Sequence, residues 1–401
     1  MKIGHISIYP YSKNLSSPPS QGGVASYLKY LLTSMKEVDE NIELIVLANI
    51  FQKSEEYFED NIKIIRCWKK NITYIFTLYY QILKNKIEIV HLQQELGLYG
   101  GYLNAYLFPV FLLVLKLSDI TVLSNIHGVV DLTNVNSNFT SENNSKIPPI
   151  LVKIGLKILI SPIVWFSDKV IVHEKKFKND LITHYWRINP EKIFVIPHGV
   201  VDFKKIDKGL AKKNIGHDSE KKICLFVGYL TGYKGLELLI DSFSLLNERN
   251  DIFLYIAAGE HPKLKNNSAY LKNVYNFHKN KAERKIKTEN YKWVGFISED
   301  DLVNYYSAAD FTIFPYTVSM SSSGPMAISI GYEVPFIASD VFQHFVKNRK
   351  LLFQRDKKSL KFKIIDVIEN FEDYTEYSSR LKKQLNWNKI SKKYINLYKT
   401  L

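Results

Sequence analysis

The chain has 401 residues, 46% apolar and 23% charged, a globular profile that excludes disordered and fibrous classes and suits two domains of about 200 residues each. Its two cysteines, Cys67 and Cys224, lie 157 positions apart, which excludes a disulfide framework and a cysteine-based zinc site and suits a reducing compartment. The net charge of +14 is uneven, +4 over residues 1–200 and +10 over 201–401, and points to polyanionic company such as phosphate-bearing ligands or anionic lipid.

The first ten residues, MKIGHISIYP, alternate as a strand. They lack the charged head, apolar core and cleavage site of an export signal, so a cytoplasmic location is expected. Strands are expected at 2–8, 42–48, 62–67, 87–92, 121–126, 169–173 and 192–196, with amphipathic helices at 24–35, 72–83, 150–166 and 174–183 between them. Two apolar runs stand out. Residues 102–117 fall short of the roughly 20 needed to cross a bilayer, and 147–166 is broken by Lys153 and Lys157, so both read as core or interfacial helices. The segment 147–178 is basic and amphipathic, which makes an anionic membrane surface an expected peripheral partner. The Asn/Ser-rich stretch 129–146 reads as a variable loop.

A polar, strandless stretch at 201–220 reads as the linker, after which the pattern restarts. Strands follow at 222–227, 252–258, 291–294, 311–314 and 335–338, with helices at 236–246, 264–287, 299–308 and 325–332. Residues 388–401 close the chain as a helix, with Ile390, Tyr394, Ile395 and Tyr398 at near-helical spacing. Strands alternating with helices make parallel sheets covered on both faces. The expected fold is therefore α/β: two Rossmann-like, doubly wound parallel-sheet domains facing a central cleft, where open sheets of this kind bind ligands. The domains are placed at 1–200 and 201–385, with 386–401 as a closing helix. Residues 262–292 carry nine basic and two acidic side chains, but no basic stretch is interleaved with a nucleic-acid-binding module, so no nucleic-acid partner is expected.

Four places carry candidate chemistry. Gly22 and Gly23 stand in the first βα turn just before a helix, where adjacent glycines permit positive φ and close backbone approach and the helix N-terminus offers N–H groups to an anion; a plain flexible turn is the equal alternative. The stretch LFVGYLTGYKG at 225–235 is a strand, a glycine-rich loop with Gly228, and Lys234 at the mouth of a helix, where an ammonium can neutralise a diphosphate. Its glycine spacing is not that of a P-loop. Ser322, Ser323 and Gly324 precede a helix and form an N-cap with spare donors suited to phosphate oxygens, or simply an ordinary capped helix with Pro325 in its first turn. His127 ends the strand 121–126 and is expected to present its ring to the cleft, beside His91 and Gln93. No His or carboxylate set has metal-ligand spacing, so no metal is expected.

Taken in order, these motifs resemble the retaining glycosyltransferases of the GT-B fold, family four. The set runs through Gly22-Gly23-Val24, Val90-His91-Leu92-Gln93 with Glu95, His127-Gly128, Ile196-Pro197-His198-Gly199-Val200 and Phe226-Val227-Gly228 with Tyr233-Lys234-Gly235. It continues with Trp293-Val294-Gly295-Phe296, Tyr305 to Asp310, Pro315-Tyr316, Ser323-Gly324 and Trp387. The resemblance implies transfer of a hexose from a nucleotide-sugar donor to a glycan or lipid-linked acceptor, without an obligatory metal or further cofactor. It implies that Lys234 acts on the diphosphate and His127 on the donor sugar. Gly22 and Gly23 would lie near the reacting centre, Val294 and Gly295 near the base, and Gly228, Ser322, Ser323 and Gly324 around phosphate or sugar. The last helix would cross back to the first domain. The chain departs from the family's pattern at its usual glutamate pair, where Met320 and Ile328 stand, and at the arginine that often joins the lysine. A non-catalytic GT-B subunit that binds nucleotide or a partner glycosyltransferase is the rival reading.

Overall fold

The computed structural model describes residues 1–10, 22–142, 146–260, 266–318 and 323–401. They divide into two compact units, Met1–Gly199 with Trp387–Leu401, and Val200–Asn386.

The first unit is built on eight strands: β1 (Lys2–Ser7), β2 (Glu43–Asn49), β3 (Glu55–Glu59), β4 (Ile62–Trp68), β5 (Ile89–Gln94), β6 (Thr121–Ile126), β7 (Lys169–Val172) and β8 (Ile193–Val195). They are ordered β3-β4-β2-β1-β5-β6-β7-β8. All neighbours are parallel except β3, which pairs antiparallel with β4 through a two-residue turn at Asp60-Asn61, both with positive φ. The strand β3 is absent from the sequence-based reading because EEYFE carries three glutamates. It lies at the sheet edge, where charge discourages further pairing.

The helices of this unit are α1 (Gly22–Val38), α2 (Tyr74–Lys84), α3 (Tyr102–Leu117), α4 (Ser137–Glu142), α5 (Pro149–Phe166) and α6 (Lys175–His184). Right-handed crossovers place α1 on one face of the sheet and α2, α3, α5 and α6 on the other. Helix α1 begins earlier than expected, so Gly23 lies inside its first turn rather than in a turn before it. Gly23 is not among the positive-φ glycines, and open space surrounds its missing side chain. Part of the stretch read as a variable loop, 129–146, is ordered into a turn at Leu132–Asn134 and into α4.

The second unit carries β9 (Lys222–Tyr229), β10 (Ile252–Gly259), β11 (Tyr291–Trp293), β12 (Phe311–Phe314), β13 (Phe336–Ser339) and β14 (Leu352–Phe353), all parallel in the order β11-β10-β9-β12-β13-β14. Its helices are α7 (Lys208–Asn214), α8 (Leu236–Phe243), α9 (Ser268–Tyr270), α10 (Phe277–Lys285), α11 (Leu302–Ala308), α12 (Gly324–Gly331), α13 (Lys357–Glu369) and α14 (Phe371–Leu385). A π turn at Leu271–Asn276 joins α9 to α10, so the long helix expected at 264–287 is shorter and interrupted. Residues 201–220 are no free linker: they hold α7, and Phe203 stacks on Tyr332 at 4.7 Å.

The last helix, α15 (Trp387–Tyr398), belongs to the first unit and packs along α1. Its entry requires Gly199, because a Cβ there would stand 2.3 Å from the Trp387 indole.

Candidate functional site

In the second unit the strand β9 delivers a loop whose backbone only glycine can follow at two points. Gly228 has φ 143°. Gly235 has φ 67°, and a Cβ on it would meet the Pro315 carbonyl oxygen at 1.8 Å. The tight turn Gly232–Lys234 between them aims the Lys234 side chain inward, where it is 8% exposed.

Lys234 finds no carboxylate there among the described residues. Its ammonium donates to the hydroxyl of Tyr316 and lies 4.1 Å from the centre of the same ring. Burial pulls its pKa down to about 8. The Tyr316 hydroxyl is itself 2.9 Å from Ser323 Oγ, and Ser323 caps α12 by accepting from the N–H of Met326. A lysine, a tyrosine, a serine and the start of α12 are thus joined through hydrogen bonds. Alongside them the Thr231 hydroxyl is buried with no hydrogen-bond partner among the described residues.

These groups border a cavity of about 300 Å³, lined among others by Gly228, Thr231, Lys234, Phe296, Glu299 and Pro325. Phe296 stacks with Tyr229 at 5.8 Å, so one wall is aromatic. An ammonium that is buried and satisfied only by neutral groups carries uncompensated charge. The cavity therefore suits an anion with an attached ring system. Gly228 and Lys234 meet in it, and Ser323 and Gly324 connect to it through Tyr316. Val294 and Gly295 stand one step outside: the N–H of Val294 is held by Ile256 O at 2.9 Å, Gly295 turns the chain with φ 82°, and Phe296 enters the cavity. Ser322 lies outside the described residues. Sequence reasoning gives Tyr316, Phe296 and Glu299 no role at the site, although the Pro-Tyr pair after β12 marks the first of them, and it names Thr231 only as standing, with Tyr229, where an arginine is usual.

In the first unit His127 is buried inside a polar cluster rather than presented on a surface. Its Nε2 lies 2.8 Å from Gln93 Oε1 and its Nδ1 3.3 Å from His173 Nε2. Burial, reinforced by His173 and His198, holds its pKa well below the usual imidazole range. Tyr27 of α1 sits at the hub, with ring centres 4.8 Å from His127, 5.2 Å from His173, 4.7 Å from His198 and 5.2 Å from Trp387. Gly22 and Gly23 open the same helix one turn earlier. Asp131, Asp180 and His184 bring ligand atoms within 4.8 Å of one another, but Lys176 Nζ already bridges the two carboxylates at 3.1 and 2.7 Å.

Two family models match this chain: "Glycosyltransferase Family 4" over residues 21–202 and "Glycosyl transferases group 1" over residues 207–384. An uncharacterized glycosyltransferase of Methanocaldococcus jannaschii is 23% identical over 58% of the chain, and the match spans 60% of that relative's length. Sucrose-phosphate synthase from Thermosynechococcus elongatus has a similar structure, with TM-score 0.71 and 15% identity over 100% of this chain and 98% of that one. Anabaena HepE in complex with UDP is similar as well, with TM-score 0.71 and 12% identity over 100% of both chains. These likenesses show the GT-B fold, and with the two family models the chain belongs to the group 1, family 4 glycosyltransferases.

Proposed function

We propose that the protein is a retaining hexosyltransferase that moves a sugar from a nucleotide-sugar donor to a glycan or lipid-linked acceptor in the synthesis of cell-surface polysaccharide or glycoconjugate. The carrying observation is Lys234, a buried ammonium without a carboxylate partner among the described residues, on the wall of a cavity large enough for a nucleotide. The UDP and UDP-glucose complexes of HepE support a nucleotide-sugar donor.

As the bond between sugar and diphosphate breaks, negative charge grows on the departing phosphate. Lys234, the Thr231 hydroxyl and the first amides of α12 would meet that charge with dipoles already in place. This clamp requires no metal. Ser322, beside the Ser323 cap, would add a further donor to the phosphates. The aromatic wall of Phe296 and Tyr229 would take the base, with Gly295 shaping the approach, and Glu299 would accept from the ribose hydroxyls. In the first unit, Gly22 and Gly23 would lie beside the reacting centre. His127 would hold the sugar, exchanging its 3.3 Å contact with His173 for a sugar hydroxyl.

Release of nucleoside diphosphate from a panel of nucleotide sugars tests this reading. Lys234→Ala is expected to lower the rate by about 10²–10³-fold, the loss seen when one donor to a developing anion is removed. A chelator should leave the wild-type rate unchanged, and the anomeric configuration of the product, read by NMR, should match that of the donor. The rival, a non-catalytic nucleotide-binding subunit, draws on Met320 and Ile328 standing where the family's glutamates are usual. It would hold if nucleoside diphosphate bound to the wild type yet no donor were ever turned over.

A further inference from the structure

One face of the first unit's sheet is covered by helices whose outward sides are apolar. On α3 exposed apolar side chains recur every three or four residues from Leu103, 66% exposed, to Leu117, 77% exposed. On α5 the same spacing exposes Ile150, Ile154 and Ile158 at 63%, 39% and 47%, and α2 adds Phe76 at 72%. Thirteen of the twenty-nine large apolar side chains exposed among the described residues lie on these three helices, a concentration that marks an interaction surface. The stripes of α3 and α5 adjoin each other because Gly155 lets Tyr106 cross. A Cβ at Gly155 would stand 2.6 Å from the Tyr106 hydroxyl.

The charge on α3 and α5 has one sign. Neither α3 nor α5 contains an Asp or Glu, while Lys116, Lys153 and Lys157 are all present. Lys116 pairs with Asp168, but Lys153 and Lys157 form no ion pair among the described residues. Both line a cavity of about 320 Å³ that opens on the α5 stripe, together with Ile150, Ile154, His184 and Trp186. Lys157 Nζ lies 5.7 Å from the Trp186 ring, whose side chain is 41% exposed.

We propose that this face docks into the interfacial layer of a bilayer containing anionic lipid, with α3 and α5 lying in its plane and a lipid phosphate seated in the cavity between Lys153 and Lys157. Aliphatic stripes flanked by lysine and an exposed tryptophan are the chemistry of a helix that lies on a membrane. Helix α5 has the length and composition to span one, but Leu159, Ile160, Ile163 and Val164 are buried in the unit's core, so it rests on the bilayer with its fold intact. A second copy of the chain fits less well. A two-fold contact would set these lysines against their own kind, with no carboxylate on either helix to answer them. None of these residues lines the donor cavity, and binding to vesicles needs no turnover.

Sedimentation of the full chain with phosphatidylcholine vesicles, with and without phosphatidylglycerol, tests the proposal. Binding is expected to the mixed vesicles alone and to weaken with salt. The double substitution Lys153→Ala with Lys157→Ala should weaken it about thirtyfold, about fivefold for each lysine near an anionic surface. Ile154→Asp on the apolar stripe should lose binding as well, whereas Phe362→Asp, an exposed apolar position of the second unit, should keep it. The lysine pair and Ile154 are read separately, and each variant is compared at unchanged melting temperature. Equal binding to neutral and mixed vesicles, no binding, or equal loss in Phe362→Asp would overturn the proposal. So would a dimer in analytical ultracentrifugation that Ile154→Asp dissociates.

Discussion

Lys234 holds its charge at a cost, and that cost makes its behaviour predictable. Burial lowers its pKa to about 8, while a bound diphosphate would favour the ammonium and raise it again. Nucleoside diphosphate affinity should therefore fall as pH rises through about 8, by up to about tenfold per unit while the free lysine is neutral and the bound one charged. Calorimetric titration between about pH 7 and 9 would show this slope, and Lys234→Ala should flatten it. Stability runs the other way. The folded pKa lies below the unfolded value of 10.5, so the unfolded chain binds more protons between about 8 and 10.5, and this group's contribution to stability rises with pH across that window. The lysine itself was legible in the sequence from its place after a glycine-rich loop. Its partner was not, because Tyr316 stands 82 positions away and only the parallel pairing of β9 with β12 brings the two together. His127 shows the opposite limit. Its position at a strand end is readable, but its burial against the rings of Tyr27 and His173 depends on α1 and on the end of β7, both distant in sequence.

The glycine-rich loop divides into positions that need glycine and one that does not. Gly235 has positive φ and lies against the Pro315 carbonyl, so Gly235→Ala must displace backbone; a loss of about 2–4 kcal/mol is expected. Gly232 has open space where a Cβ would go, so Gly232→Ala should change stability by less than about 1 kcal/mol. Paired thermal melts check the contrast, and equal losses would mean that the loop is not held as described. Which elements could be read in advance follows the same logic of local against distant causes. The apolar strands β1, β5, β6, β9 and β10 announce themselves because parallel strands buried on both faces must be apolar. Helix α14 is not legible in the sequence, although Tyr374, Ser378, Leu381 and Leu385 form its buried stripe, because its exposed side is dense in Lys, Glu and Ser. Asp310, part of the family-like Tyr305 to Asp310 motif, turns out to hold the fold: its carboxylate accepts from the N–H of Ile223 at 2.8 Å and pairs with Lys208 at 2.6 Å.

Across the molecule, titratable groups are divided unevenly between the two units. The first unit buries four histidines, His5, His91, His127 and His173, and half-buries a fifth, His198, with ring centres as close as 4.8 Å for His5 and His91 and 5.0 Å for His127 and His173. Burial pulls the pKa of His5 and of His173 to about 3, and those of His91, His127 and His198 are lowered as well. Helix α15 closes over this cluster through Tyr394, which meets Tyr27 at 2.5 Å, and Tyr398, which meets His91 at 2.6 Å. Because each folded pKa lies below 6.5, the unfolded state takes up more protons as pH falls below that value. Stability is therefore lost on acidification, by about 1 kcal/mol per histidine per pH unit. Shared among five groups, that is of the order of a whole domain's stability within about one to two pH units. The second unit has His217 as its one histidine with a lowered pKa among the described residues, so its acid response should be shallower. Hydrogen exchange at about pH 7 and pH 5 should then expose amides of α1, α15, β1 and β5 together while β9, β10 and β12 stay protected. If both units instead lost protection at the same pH, the imidazole cluster would not be what limits the fold in acid.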